Sequence, residues 1–153
     1  MKMGISVDAK ALQQAIRKSP EGIVEATHQA LLRSAIYAQK CFRRNLNANT
    51  DTGSLKRSVR YHFTSKVAVE IAPEAEHAPF LEYGTRPHYP PIEGIRRWAK
   101  KKGINPYALQ RSIGKRGTRA HPYLDKTFRE VAPYARKSLD RSIGSKIKEI
   151  IET

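Results

Sequence analysis

The chain has few of the groups that small-molecule chemistry requires. Its one cysteine, Cys41, excludes an intramolecular disulfide, and no unbroken apolar run of signal-peptide length lies near its start. Synthesis in a reducing cytoplasm is expected. The five histidines, His28, His62, His77, His88 and His121, are scattered, and no His-x-x-x-His or Cys-x-x-Cys pair is present to hold a metal. Repeats, heptad arrays and low-complexity tracts are absent, and a mean hydropathy of -0.62 speaks against a membrane span. Acid is the scarcest resource: 14 Asp plus Glu face 29 Lys plus Arg, leaving a formal net charge of +15 and a pI near 10.2. Such an imbalance calls for an acidic partner, nucleic acid being the first candidate.

What is present is charge with a location. Arg33 to Lys66 holds eight basic residues against one acid, Asp51, and Arg86 to His121 holds ten against one, Glu93. The remainder of the chain is close to neutral, so the excess is not a uniform solubility coat. At 153 residues the chain has the length of one ordinary domain with one shared core.

Hydrophobic spacing predicts the elements. Gly4 to Val7 alternates as a short strand would, and Asp8 is placed to cap a first helix that carries Leu12, Ala15 and Ile16 and ends near Lys18. Ser19-Pro20-Glu21 restarts the helix. From there Ile23, Ala26, Thr27, Ala30, Leu31, Ser34, Ala35, Ala38, Phe42 and Leu46 recur at steps of three and four, a main helix of roughly 25 residues and about 38 Å. Its small-residue stripe suits close approach of a sheet, and its opposite face carries Arg33, Lys40, Arg43 and Arg44.

The Asn/Asp/Thr/Gly cluster from Asn45 to Gly53 ends that helix. Ser58 to Ser65 and Lys66 to Ala72 then read as a hairpin turning near Thr64 to Lys66, with Val67, Val69 and Ile71 on one face. Pro73 closes it, and Ala78 to Tyr83 is a short apolar element stopped by Gly84. Pro91 opens a short helix through Ile92, Ile95, Trp98 and Ala99, Asn105-Pro106 opens another, and Gly114 to Gly117 reads as a mobile basic loop. Pro122 opens the last helix, with Leu124, Thr127, Phe128, Val131, Ala135, Leu139, Ile143, Ile147 and Ile150 at spacings of three or four and a kink or break expected at Pro133 and Gly144. The order predicts an α+β fold, long helices on one face of a small antiparallel sheet.

Catalytic groups are thin, and neither an enzyme nor a cofactor is expected. Cys41 lies in the small-residue helix, where packing accounts for it. Glu74 and Glu76 fit a solvated loop. Gly114-Lys115-Arg116-Gly117 lacks the frame of a phosphate loop. Trp98, Tyr89 and Tyr107 lie among Arg96, Arg97, Lys100, Lys101 and Lys102, an interleaving that suits base stacking and phosphate contact, although Trp98 and Ile95 also have the spacing of a core anchor.

Three pieces share an order with a known family: Thr52-Gly53-Ser54-Leu55-Lys56-Arg57-Ser58, then His77-Ala78-Pro79-Phe80-Leu81-Glu82-Tyr83-Gly84-Thr85, then His121-Pro122-Tyr123-Leu124. Together they resemble the head-tail joining or tail-completion (neck) proteins of long-tailed bacteriophages, the gene-product-10-like tail component of lambdoid siphophages. The resemblance spans nearly the whole chain, and Glu82-Tyr83-Gly84-Thr85 is its most specific part. His77 stands where that family usually has Tyr, Tyr123 where it usually has Phe, and Arg86 to Arg119 is a basic insertion, the segment most dependent on neighbours for order.

The resemblance implies a structural virion protein made in the host bacterial cytoplasm. It would form a ring, a hexamer by family likeness, at the neck or head-proximal end of the tail. Its partners would be further copies of itself, portal-side connector proteins, tail-tube or terminator proteins, and packaged DNA, with no membrane involved. The motif residues have structural work to do. Thr52 and Gly53 make a tight turn, Leu55 packs inward and Ser58 begins the strand. Phe80, Leu81 and Tyr83 bury a short element against the long helix, Glu82 accepts backbone or Arg hydrogen bonds, and Gly84 takes a positive φ. The cations Arg33, Lys40, Arg43, Arg44, Arg96, Arg97, Lys100, Lys101, Lys102, Arg111, Lys115, Arg116 and Arg119 would face DNA or an acidic neighbour. The alternative is a free-standing basic nucleic-acid-binding protein built around Trp98 and its lysines.

Overall fold

The computed structural model describes residues 9–46 and 52–152. The strand expected at Gly4 to Val7, the cap Asp8 and positions 47–51 of the polar cluster lie outside the described residues. In chain order the elements are α1 (Ala9–Lys18), α2 (Pro20–Asn45), α3 (Ser54–Arg57), β1 (Val59–Ser65), β2 (Ala68–Pro73), α4 (Ala78–Tyr83), α5 (Ile92–Lys101), α6 (Pro106–Arg116) and α7 (Leu124–Glu152). Helix dominates, the two strands pair antiparallel, and the class is α+β. No helix among the described residues is long and apolar enough to cross a membrane. The chain folds into two compact units, each gathered from separate stretches of sequence.

The first unit holds residues up to Cys41, the hairpin from Arg60 to Ala72, and Thr127 onward. Pro20 has no N–H to continue the ladder of α1, so α2 starts afresh there, with Ile23 N–H donating to the Ser19 carbonyl at 3.3 Å. Ala15, Ile23 and Ile147 form a buried cluster, with Leu12, Ile143 and Ile150 packed around it. Farther along α2, Ala30, Ser34, Ala35 and Ala38 are buried. The expected neighbour of this stripe was a sheet. The structure places α7 there instead: Ser138 Oγ donates to the Ala30 carbonyl at 3.4 Å and Tyr134 stacks on Tyr37 with ring centres 4.1 Å apart. Side chains this small let two helix backbones come close enough for a serine to reach across. The sheet meets α2 at His28, whose ring lies 4.3 Å from that of Phe63 and whose Nδ1 is 3.1 Å from the Lys66 carbonyl.

The hairpin alternates as its residues require. Tyr61 and Phe63 in β1 and Val69 and Ile71 in β2 take the more buried positions, and Arg60, His62, Ala68 and Glu70 the exposed ones. Val67, expected on the inward row, falls in the turn and is 52% exposed. The last helix also departs from expectation: α7 runs unbroken through Pro133 and Gly144. One missing N–H is tolerated because the residues after Pro133 are held by packing, Tyr134 on Tyr37 and Ser138 on Ala30. Phe128, part of the apolar pattern of this helix, is 71% exposed.

The second unit holds Phe42–Val59 and Pro73–Lys126. Its basic segment is two helices in contact, α5 and α6, with Ala99 and Ile113 buried and Ile95, Trp98 and Leu109 half-buried. Asn105 caps α6, its Oδ1 accepting from Tyr107 N–H at 2.9 Å and Ala108 N–H at 3.4 Å. The loop expected at Gly114 to Gly117 is instead the last turn of α6, closed by Gly117 N–H donating to the Ile113 carbonyl at 2.8 Å. An antiparallel bridge between Thr85 and Thr118 joins the two ends of the segment from Arg86 to Arg119 within the chain. Thr85 N–H donates to the Thr118 carbonyl at 3.2 Å, Thr118 N–H to Thr85 Oγ1 at 3.0 Å, and the two hydroxyls lie 3.0 Å apart.

Glycines flank that bridge for a steric reason. Gly84 and Gly117 have φ of 74° and 72°, and a Cβ on either would collide with the backbone opposite, that on Gly84 with the Thr118 carbonyl and that on Gly117 with the Thr85 carbonyl. Gly103 shares the positive φ, at 68°, but its surroundings are open. Gly117→Ala should therefore cost about 2–4 kcal/mol and Gly103→Ala only about 1 kcal/mol, a difference that urea unfolding of the two variants measures.

Candidate functional site

Each of the three motif pieces is joined to another part of the second unit through backbone groups. In the first, Gly53 takes a left-handed conformation, φ 75°, and caps the single turn of α3, while Thr52 Oγ1 accepts from Ser54 N–H at 3.3 Å and the Thr52 carbonyl from the Arg57 guanidinium at 3.0 Å. Leu55 is buried as expected. Ser58 is the residue that closes α3 rather than the first of the strand, because its hydroxyl turns back to donate to the Leu55 carbonyl at 2.8 Å. That hydroxyl also accepts from Ala75 N–H at 3.2 Å, and the Ser58 carbonyl accepts from Glu74 N–H at 3.0 Å. The chain entering the hairpin is thus fastened to the chain leaving it.

The second and third pieces meet at Glu82. Its side chain is 7% exposed, and Oε2 accepts from Tyr123 N–H at 2.8 Å and Leu124 N–H at 3.1 Å, the first two backbone donors of α7. A helix start presents unpaired N–H groups and partial positive charge, and a carboxylate answers both. Here it comes from another helix, 41 residues earlier in the chain. Two further bonds reinforce the join, His121 N–H to the Leu81 carbonyl at 2.8 Å and Tyr123 Oη–H to the Ala78 carbonyl at 3.3 Å. The Tyr123 ring, 5% exposed, meets Phe42 edge to face at 6.2 Å. Burial, then the negative charge of Glu82 and of Tyr83, pushes the Tyr123 phenol from 10.0 up to about 12.

The packing of α4 differs from expectation. Phe80 and Tyr83 are 60% and 75% exposed, while Ala78 and Glu82 are buried. Residues four apart share a helix face, so turning Glu82 toward the α7 start carries Ala78 inward and leaves Phe80 and Tyr83 outward. Pro122 and Leu124 are exposed as well.

The basic residues divide by environment. Arg33, Lys40 and Arg44 are exposed on α2, whereas Arg43 is half-buried and its Nε is enclosed without a hydrogen-bond partner. Arg96, Arg97, Lys100 and Lys101 on α5, Lys102 just beyond it, Arg111, Lys115 and Arg116 on α6, and Arg119 are all exposed. Trp98 is half-buried and lines a cleft of about 620 Å³ with Ile95, Leu109 and Ile113, while Tyr89 and Tyr107 are exposed.

One cationic group escaped the sequence reading. Arg33 donates to Ser142 Oγ and lines a groove of about 580 Å³ with Tyr134, Lys137, Ser138 and Arg141. Lys137 and Arg141 lie outside both basic blocks, and their spacing of four residues on one helix was the available signal. No group of three or more His, Cys, Asp or Glu suited to a metal occurs among the described residues. The arrangement around Glu82, Ser58 and Thr85 can fix segments of chain in place, since their polar atoms are directed to backbone and to one another.

Compared with protein-family models, curated proteins and solved structures, the chain shows no significant match.

Removing the Glu82 carboxylate leaves two helix-start donors without their acceptor. Glu82→Ala should cost about 2–4 kcal/mol in chemical denaturation, Glu82→Gln about 1 kcal/mol since an oxygen remains, and the exposed control Glu76→Ala under about 0.5 kcal/mol. The raised phenol makes a pH prediction with a definite sign. The folded state holds the Tyr123 proton more tightly than the unfolded state, so this contribution is complete below pH 10.0 and is lost as pH rises through about 12. Tyr123→Phe should lose stability less steeply than wild type across that window when both are unfolded in urea at successive pH values.

Proposed function

We propose that this chain is a structural virion protein of a tailed bacteriophage or prophage, a ring subunit at the neck or head-proximal end of the tail that joins head to tail. The observation that carries the reading is the Glu82 contact: its carboxylate binds the N–H groups of Tyr123 and Leu124, uniting the two motif pieces on which the resemblance to tail-completion proteins most depends. Residues that resemble a family signature and hold a scaffold together fit a protein whose work is assembly. Phe80 and Tyr83, left outward by that contact, supply apolar surface for a neighbour.

Ring formation follows from repeating one heterologous contact until it closes, a hexamer by family likeness. Six copies of a chain carrying +15 repel one another, and packaged DNA or an acidic adjoining ring would offset that repulsion. The partners are therefore further copies, connector or portal-side proteins, tail-tube or terminator proteins, and DNA, and the location is the virion.

The test is genetic and structural together. Deleting the gene from the encoding virus should leave filled heads and finished tails unjoined in electron micrographs, with wild-type protein supplied in trans restoring particles. Arg96→Glu, Arg97→Glu, Lys100→Glu and Lys101→Glu combined should lower the yield of joined particles at least tenfold while far-UV circular dichroism stays at wild-type level. Intact particles that lack the polypeptide would overturn the reading in favour of a free-standing nucleic-acid-binding protein.

A further inference from the structure

We infer that the outer face of α5 is the DNA-contacting surface of this protein and binds the phosphate backbone of duplex DNA without regard to sequence. The inference rests on the neck reading for the DNA it names and deepens it by assigning one face.

The face follows from the helical repeat. Ala99 is buried and Ile92, Ile95 and Trp98 are half-buried along one side of α5, while Arg96, Arg97, Lys100 and Lys101 are exposed. At 100° per residue those four cations occupy the side opposite the apolar seam, in two rows whose members lie one turn, about 6 Å, apart. Lys102 extends the charge past the helix end. The one acid of α5, Glu93, lies 3.6 Å from Arg96 with both side chains well exposed, a pairing too solvated to neutralise that arginine.

The composition of the face chooses between DNA and acidic protein. Protein interfaces take their affinity from aromatic and apolar anchors at a desolvated centre, and lysine is depleted there. The outer side of α5 offers no anchor: its apolar residues are turned toward the seam, and the other exposed position is Gly94. Exposed aromatics lie outside α5, Phe80 and Tyr83 on α4, Tyr89 in the segment before α5 and Tyr107 on α6. Dense cations without an anchor suit a polyanion, where affinity comes from counterion release and no pocket is needed. Lysine serves as a point charge that makes few demands on geometry, which suits a duplex that must be held in any register.

The experiment measures binding of the purified full chain to a short mixed-sequence duplex by fluorescence anisotropy across about 50 to 200 mM salt. Wild type should give a straight line in log affinity against log salt. Arg97→Gln, Lys100→Gln and Lys101→Gln combined should flatten its slope by about 2 to 3, whereas Arg111→Gln, Lys115→Gln and Arg116→Gln on α6, an equal loss of charge, should change it by less than about 1. Circular dichroism verifies that both variants fold. Equal effects of the two triple variants, or none from the α5 variant, would overturn the inference. So would binding to purified DNA-free tails that the α5 substitutions abolish while the duplex slope is unchanged; the face would then meet acidic protein, and the neck reading would stand without it.

Discussion

The second unit depends on one carboxylate. Glu82 is buried, and a buried carboxylate without partners would be costly enough to unfold the segment around it. It is tolerable because the start of α7 brings two backbone donors and the positive end of a helix dipole to the same point. Each side needs the other: α7 begins with its first donors satisfied, and α4 is turned so that Ala78 goes inward and Phe80 and Tyr83 go outward. A surface property of the molecule is thus set by an internal polar contact.

Much of the fold was legible because local rules and tertiary contacts agreed. Pro20 separates α1 from α2, Asn105 caps α6, Pro73 closes the hairpin, and the alternation of Val69 and Ile71 with Ala68 and Glu70 chooses its faces. Each of these signals acts within a few residues of where it is read. Where expectation and structure part, a distant partner decides. Pro133 does not break α7, since Tyr134 and Ser138 are held by α2. Gly114 and Lys115 are helical because Gly117, pinned at the Thr85–Thr118 bridge, places the stop later. Phe80 and Tyr83 are outward although apolar, for burial of Glu82 outweighs their own preference.

The candidate site was legible in part. The sequence points Glu82 to backbone or arginine partners, and it takes backbone ones; it points Gly84 to a positive φ, which the residue has. That its acceptor would serve the N–H groups of Tyr123 and Leu124 could not be read from spacing, since the residues lie about forty apart and neither segment has a pattern that points to the other. The groove lined by Arg33, Lys137 and Arg141 is hidden for a related reason: two of its cations lie outside both basic blocks, and only the approach of α7 to α2 brings them to Arg33.

The Thr85–Thr118 bridge, with a glycine at each side, lets the chain leave and return at nearly the same point. Whatever is spliced between those threonines is topologically a cassette. The Glu82 contact lies outside that cassette, so the tie between α4 and the start of α7 is made without any residue of the basic helices.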